Sequence, residues 1–444
     1  MHNKIVTIKK IVNGGFGLGH LPAGQVVLVQ FALPEEVITV STEESKKKYL
    51  LAKVHQIENH HPARITAPCQ YYGICGGCNL QHCDYDSQII FKRDILIDLL
   101  LHQNVVTPKD AEEKIHSIIG AAAPFHYRQR IRLQVRDDYK LGFNRFRSHD
   151  IVEIDMCLLA KPSINMALTA LKQHDDIHAL LELSSELELQ QNPLTDKISC
   201  IFIFSRKPRP ADFKAAARLC SEINCIDRVF FTGEDFPIVG PIVATNTKQD
   251  NLLTVRYPEI NHQPTALELS WEVGGFCQVN LEQNKQMIET VLDFCSISPG
   301  DTVLDLYCGM GNFAIPISHL AASVYGIEGQ GSSIRCAKNN ASLAQVDNTT
   351  FNKQPVHNGC KELIEKGSKF DCIIIDPPRL GAPELAAQLS QLCNKRLVYI
   401  SCDPATLSRD LKALTREGFT IKAIKPVDMF PQTHHIETVV LLER

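Results

Sequence analysis

From about residue 298 the chain alternates strand and helix patterns without a break, and this rhythm constrains the fold more than any other feature. Strand patterns fall at 302–307, 323–328, 349–353, 371–375, 396–401, 419–425 and 436–443, with helical periodicity between successive members of the first six. Such alternation predicts a parallel sheet covered by helices on both faces. The last two strands leave no room for a helix, so they are expected to pair antiparallel. In open sheets of this kind, ligands bind beyond the carboxyl ends of the strands. Three of those ends carry chemistry: Val303-Leu-Asp-Leu-Tyr-Cys-Gly-Met-Gly311, Ile375-Asp376-Pro377-Pro378 and Tyr399-Ile-Ser-Cys402-Asp-Pro404. A glycine-rich turn for a nucleotide-like cofactor, a carboxylate and a thiol are expected to share one crevice. That combination describes an enzyme.

At 444 residues the chain is long enough for about three domains. The net charge of −4 gives no global case for nucleic-acid binding, so local patches must carry that argument. No apolar run is long enough to cross a bilayer, and Met1-His-Asn-Lys-Ile-Val-Thr-Ile-Lys-Lys has no signal-peptide core, so a cytoplasmic protein without a membrane partner is expected. In a reducing compartment sixteen cysteines are not a disulfide framework; clusters among them point to metal or catalysis. Residues 1–58 alternate four β-type runs with Gly14, Gly15, Gly17, Gly19 and Gly24, which suggests a small barrel, either an oligonucleotide binder or a structural appendage. Between them and the alternating region lie a cysteine-rich loop at 64–83, a helical pattern from Ile89, strand patterns from Tyr127, and a further helix near 209–222 flanked by strands.

The run Gly309-Met-Gly311-Asn-Phe-Ala314 suits a nicotinamide dinucleotide as well as S-adenosylmethionine. Glu328 closes the next strand, where an acid can accept hydrogen bonds from ribose hydroxyls of either cofactor. Asp305 and Asp376-Pro377-Pro378 favour the methyl donor, because neither belongs to the dehydrogenase fingerprint. Cys402 precedes Asp403, a natural helix N-cap, and Pro404, favoured at the first helical position. A thiol there is expected to have a lowered pKa through the helix dipole. Such a thiolate can add to carbon-6 of a uracil and make carbon-5 nucleophilic, after which a base must remove the carbon-5 proton. Glu437, in His434-His-Ile-Glu437-Thr-Val, is a candidate for that base, although sequence alone leaves it an exposed strand-edge residue. Between Arg128 and Arg147 seven Lys/Arg are interleaved with Tyr127, Phe143 and Phe146. Alternate arginines on one strand suit a phosphate backbone, and equally a solvated outer face.

Taken together these residues resemble the RNA uracil-C5 methyltransferase family, which uses S-adenosylmethionine to make 5-methyluridine in ribosomal or transfer RNA. The resemblance spans nearly the whole chain through Phe276-Cys-Gln278-Val-Asn280, Leu304-Asp-Leu-Tyr307-Cys-Gly-Met-Gly-Asn312-Phe, Ile375-Asp376-Pro-Pro-Arg, Ser401-Cys402-Asp-Pro-Ala-Thr-Leu-Ser-Arg-Asp and Met429-Phe-Pro-Gln-Thr-His-His-Ile-Glu437. It implies Cys402 as nucleophile and Glu437 as base, with Gln278, Tyr307, Asn312, Glu328 and Asp376 around the cofactor. A further cofactor contact of the family, usually Asn or Asp, falls here near Gln354-Pro355. The N-terminal region resembles the TRAM barrel, with Ala32-Leu-Pro-Glu35-Glu36 where relatives more often have Leu-Pro-Gly-Glu. Cys69-x5-Cys75-Gly-Gly-Cys78 is not a zinc-ribbon spacing; three thiolates around a glycine pair suit an iron–sulfur cube, with zinc the alternative. Cys157 matches the family's fourth ligand to a [4Fe–4S] cluster, and Cys83 is a nearby competitor read as packing.

The expected architecture is multidomain. Residues 1–58 form a TRAM/OB-like RNA-binding barrel. Residues 59–265 form a central α+β cluster-bearing domain whose helical arm, 84–123, packs on the catalytic part. Residues 266–444 form a Rossmann-like class I methyltransferase domain. The expected substrate is a single-stranded loop or bulge of RNA, with 23S rRNA placed ahead of tRNA, and the expected state is a monomer. A non-catalytic RNA-binding iron–sulfur protein is the competing reading.

Overall fold

The computed structural model describes residues 4–244 and 251–444; the Met1-His2-Asn3 start of the N-terminal reading lies outside the described residues. Five strands, β1 (Lys4–Val12), β2 (Phe16–His20), β3 (Val26–Gln30), β4 (Val37–Ser45) and β5 (Tyr49–Ile57), close a barrel in the order β1-β2-β3-β5-β4. Period-two alternation puts Val6, Ile8, Val27, Val29, Ile38 and Val40 inside. The sequence predicts four runs, with Gly17 and Gly19 in the gap between the first two. They lie within β2, because a Cβ on Gly19 would stand 2.3 Å from Val6 Cγ1: only glycine lets β1 approach this closely. At the Leu33–Glu36 turn, Glu35 takes φ 64°, the conformation a glycine would hold without strain. Glu36 is buried and held by Arg64 at 2.5 and 2.7 Å, so the turn is anchored electrostatically.

The helical arm follows: α1 (Tyr85–His102) and α2 (Pro108–Lys114). Next comes a sheet of β6 (Arg130–Arg136), β7 (Lys140–Asn144), β8 (Ile151–Glu153), β9 (Ser184–Gln191), β10 (Ile198–Phe204), β11 (Ile226–Gly233) and β12 (Phe236–Ile242), in the order β12-β11-β10-β9-β6-β7-β8. Helices α3 (Pro162–Lys172), α4 (Ile177–Leu181) and α5 (Pro210–Glu222) cover it, and Leu168, Leu171, Leu180 and Leu219 fill its core. A hairpin of β13 (Leu252–Tyr257) and β14 (Leu267–Glu272) shares a second core with the C-terminal region.

That region begins with α6 (Leu281–Cys295) and then alternates as expected: β15 (Thr302–Leu306), α7 (Ala314–Ser318), β16 (Ser323–Glu328), α8 (Gly331–Leu343), β17 (Thr349–Lys353), α9 (Val356–Glu365), β18 (Phe370–Ile375), α10 (Ala386–Leu392), β19 (Cys393–Ser401), α11 (Pro404–Arg416), β20 (Thr420–Val427) and β21 (Glu437–Glu443). The sheet order is β17-β16-β15-β18-β19-β21-β20, parallel except for β21, which pairs antiparallel with both neighbours. The order reverses between β15 and β18, so their carboxyl ends open the crevice where a ligand belongs. Leu96 and Leu100 of α1 join Leu407 and Leu411 of α11 in one core, and Ile115 and Ile119 bridge to β20, so the arm closes one flank of the catalytic sheet.

Candidate active site

Where β15 ends, Tyr307, Gly309 and Gly311 take φ of 61°, 56° and 87°. Three left-handed residues in five coil the chain into a tight loop. A Cβ on Gly311 would lie 2.8 Å from Ile315 Cγ1, whereas one on Gly309 would meet nothing within 4 Å, so Gly309 faces open space. Glu328 stands 19 residues beyond Gly309 and is fixed by backbone N–H groups of Gly309 (3.3 Å) and Gln330 (2.7 Å). Asp305 is fully buried, and neither carboxylate oxygen has a hydrogen bond of ordinary geometry. Burial first, then neighbouring Asp376, holds its carboxyl well above the usual range. An orphaned buried acid calls for a partner. Asp305, Glu328 and Asp376 around one crevice repel the pyrophosphate of a dinucleotide and suit a ligand that is itself cationic, as S-adenosylmethionine is.

The remaining residues of this group divide. Tyr307 is half-buried in the loop, its hydroxyl pushed up to about 12 chiefly by burial. Asn312 exchanges two hydrogen bonds with Asn284 of α6 (2.9 and 3.0 Å), so its amide braces the glycine loop. Gln278 is half-buried between β14 and α6, and its carbonyl accepts from Gln129 Nε2 at 2.9 Å. Gln354, in the place of the family's Asn or Asp, donates its backbone N–H to the Glu328 carbonyl at 3.0 Å.

Cys402 sits half-buried between β19 and α11, where Asp403 caps the helix by accepting from the N–H groups of Ala405 (2.9 Å) and Thr406 (2.8 Å). The expected fall in its pKa is overturned. Burial, then Glu437 and, more weakly, Asp376 and Asp403, pushes the thiol up to about 12, with Arg379 acting the other way. The helix terminus cannot help because the Asp403 carboxylate already takes its free N–H groups and adds a negative charge. Glu437 is not the exposed strand-edge residue of the default reading but is 5 % exposed, at the first position of β21. Burial and then Asp376 push its carboxyl up to about 8, again opposed by Arg379. Asp376 keeps some exposed surface, yet the protein packed around it lifts it to about 7. Thus Cys402 feels the charges of Glu437, Arg379 and Asp376, and Glu437 those of Asp376 and Arg379. In the sequence Arg379 is only the last residue of the Asp376-Pro-Pro-Arg run, and nothing local gives it a site role.

Away from this pocket, Cys69, Cys75, Cys78 and Cys157 line one cavity of about 520 Å³. Among the described residues no three Cys, His, Asp or Glu side chains converge closely enough for a single metal ion. Burial raises the thiols of Cys75, Cys78 (to about 12) and Cys157. Cys83 points elsewhere: it packs with Ile11, Leu33, Leu80 and Ile95, and its Sγ donates to the Leu80 carbonyl at 3.3 Å. The guanidinium of Arg128 stands in the wall of the cysteine cavity, 5.9 Å from the Phe430 ring, and its Nε has no hydrogen-bond partner. The phosphate-binding expectation for β6 needs correction. Its alternation places Ile131, Leu133 and Val135 in the core, but on the other face Arg130 and Arg132 are tied to buried Glu188 (2.7 Å each), with Arg132 also near Glu186. Their charge is largely spent within the protein.

A doubly wound sheet with a cation-tolerant glycine crevice at its switch point, and a thiol and a proton-holding acid beside it, defines a methyltransferase that uses S-adenosylmethionine. A family profile described as tRNA (Uracil-5-)-methyltransferase matches residues 259–444, and a TRAM-domain profile matches residues 4–55. The chain is 32% identical over 440 residues to the 23S rRNA (uracil(1939)-C(5))-methyltransferase RlmD of Shewanella sediminis, covering 96% of this chain and 94% of that one. It is 30% identical to an uncharacterized RNA methyltransferase of Thermotoga maritima, covering 98% of each. Its fold is similar, at a TM-score of 0.72 and 23% identity, to Pyrococcus abyssi tRNA (uracil-54, C5)-methyltransferase in complex with S-adenosyl-L-homocysteine, covering 98% of this chain and 100% of that one. The chain belongs to the RNA uracil-C5 methyltransferase family: it is an S-adenosylmethionine-dependent enzyme that methylates uracil in RNA.

Proposed function

We propose that this enzyme methylates carbon-5 of a uridine in 23S rRNA through a covalent adduct between Cys402 and carbon-6. One observation carries the reading: buried Glu437 raises the proton affinity of the Cys402 thiol, and Asp376 and Arg379 act on both groups. When bound, S-adenosylmethionine supplies an electrophilic methyl group on a positively charged sulfur. Gln278, Tyr307, Asn312, Glu328 and Asp376 surround its place. The Cys402 thiol gives up its proton to water as sulfur bonds to carbon-6, and the electron pair of the 5,6 double bond moves to carbon-5 and the carbonyl. Carbon-5 then takes the methyl as its bond to sulfur breaks, leaving S-adenosyl-L-homocysteine. The Glu437 carboxylate removes the carbon-5 proton, the double bond re-forms, and the thiolate leaves. Arg379 favours the ionised form of both groups and lies where it offsets the negative charge of the adduct. The target uridine must leave its stack to reach the thiol, which favours a loop or bulge.

The cysteine cavity supports a [4Fe–4S] cluster held by Cys69, Cys75, Cys78 and Cys157. Four thiols around a space of about 520 Å³, with no three meeting at a point, fit a multi-atom body better than a single zinc ion. Half-buried Arg128, in the wall of the cavity, complements the negative charge of a thiolate-ligated cluster. The ribosomal target is favoured over tRNA by likeness along the whole chain to the Shewanella enzyme, which carries that name. The test is tritium released from [5-³H]-uridine 23S rRNA and, in parallel, from tRNA, with S-adenosylmethionine present. Release from rRNA alone is expected; release from tRNA alone moves the substrate, and release from neither removes the mechanism.

A further inference from the structure

With Arg130 and Arg132 paired internally, the basic stretch has its free charge elsewhere, on the turn between β7 and β8. There Phe146 is 42 % exposed, and its ring stands 6.1 Å edge-on from Phe16 of barrel strand β2. The Arg147 guanidinium lies 5.5 Å above the Phe146 ring. The Arg145 guanidinium makes no hydrogen bond or ion pair among the described residues. This turn and the barrel enclose a groove of about 310 Å³, with Glu43, Glu44 and Lys53 on the barrel side. Glu43 pairs with Lys53, and Glu44 pairs with Lys46 and stands 3.9 Å from Arg147.

The turn is held from beneath by the cysteine loop. Cys75 forms an antiparallel bridge with Arg145, and the Gly76 N–H donates to the Asn144 carbonyl at 3.0 Å. A Cβ on Gly76 would stand 3.0 Å from that carbonyl oxygen and 3.1 Å from the Phe146 nitrogen, so the two backbones are in contact. An exposed aromatic on so well-supported a backbone is a platform, not a loose surface residue.

We propose that this groove is a nucleobase subsite that takes one unstacked base from a single-stranded stretch flanking the target uridine. The base stacks on Phe146, Glu43 and Glu44 accept from its amino edge, and Arg145 and Arg147 meet its phosphate. An aromatic platform beside arginine is how proteins hold splayed RNA bases. Two carboxylates in the wall are unsuited to a bare phosphate, but they suit a base that donates hydrogen bonds, and each keeps free lone pairs beyond its lysine. Adenine and cytosine carry an exocyclic amino group and uracil does not, so the groove should discriminate against uracil. The volume lies at the lower end of small-ligand pockets, roughly 300 Å³ and upward. The proposal rests on RNA being the substrate; it adds where the flanking chain is read.

The test is fluorescence-anisotropy binding of short oligo(A), oligo(C) and oligo(U) RNA to the full protein and its variants. Oligo(A) and oligo(C) are expected to bind more tightly than oligo(U). Phe146→Ala should weaken them about 10- to 100-fold, the size of one lost stacking contact, and Phe146→Trp should restore affinity. Glu44→Gln should reduce the preference over oligo(U) while leaving oligo(U) itself unchanged. Unchanged binding by Phe146→Ala, equal loss in the alanine and tryptophan variants, or oligo(U) binding as well as the others would overturn the subsite. Should the alanine variant not fold, Glu44→Gln decides: an unchanged base preference overturns the proposal. Tritium release is independent of these outcomes, so an enzyme that methylates RNA but fails here keeps its function and loses the subsite.

Discussion

At the scale of single residues, burial holds protons on Cys402 and Glu437. Glu437 titrates near 8 in the folded chain against an ordinary 4.5. Between these values the folded protein holds a proton that the unfolded chain has released. Its stability therefore falls as pH rises through that window. Replacing Glu437 by Gln removes this cost, so the variant should match the parent near pH 4 and gain on it progressively toward pH 8, by about 4 kcal/mol. Thermal unfolding of both proteins across that range checks the sign. On the proposed mechanism the same variant lacks the carboxylate that would release the adduct, so a covalent enzyme–RNA species should accumulate on denaturing gels. A variant that is inactive and forms no adduct would leave Glu437 with a structural part only. That stabilising the site should disable it is the usual trade at a strained catalytic centre.

At the scale of elements, Glu437 owes its place to helix α1. Lys92 and Asp428 are both fully buried and pair at 2.6 Å; Lys92 also donates to the Phe430 carbonyl at 3.0 Å, and Tyr85 donates to Asp428 at 2.8 Å. Gln88 of the same helix exchanges hydrogen bonds with Gln432 at 3.0 Å each. This network holds residues 428–432, the approach to Glu437, against the arm. Lys92→Met should cost about 3–5 kcal/mol, because it leaves a buried carboxylate without its counter-charge. Adding Asp428→Leu should recover most of that loss. Denaturant unfolding of the single and double variants measures both terms; a single variant no less stable than the parent would mean that the pair contributes nothing net.

At the scale of the whole molecule, barrel, cysteine loop and catalytic loop meet at Asn79. Its side chain donates to the Gly14 carbonyl at 3.0 Å and accepts from the His434 N–H at 2.8 Å, while the N–H groups of Asn79 and Leu80 reach the Gln432 carbonyl at 3.2 and 3.1 Å. The loop that carries Cys69, Cys75 and Cys78 therefore touches all three parts within a few residues. A cluster there would act as a staple, since the segment 64–83 has no regular helix or strand to hold it. Protein purified without air should contain about four irons per chain. Cys78→Ser should lose iron and become sensitive to limited proteolysis within 64–83, whereas Cys83→Ser should keep both iron and resistance. Equal iron in the two variants would show that the cage has been misassigned.

Much of this was legible in the chain itself. The seven catalytic strands, the antiparallel final pair, Cys402 at a strand end and the Asp403 cap all follow from local periodicity and local hydrogen bonding, which a short window of residues carries. Other features have no local signal. Gly17 and Gly19 read as turns because nothing nearby announces the approach of Val6. Arg130 and Arg132 read as free because Glu188 lies more than fifty residues away in sequence. The raised thiol of Cys402 and the burial of Glu437 are products of charges and walls brought from β18, β19, β21 and the loop after Asp428. Secondary structure answers to spacing along the chain. Proton affinity and charge pairing answer to distance in space, and only the tertiary fold sets that distance.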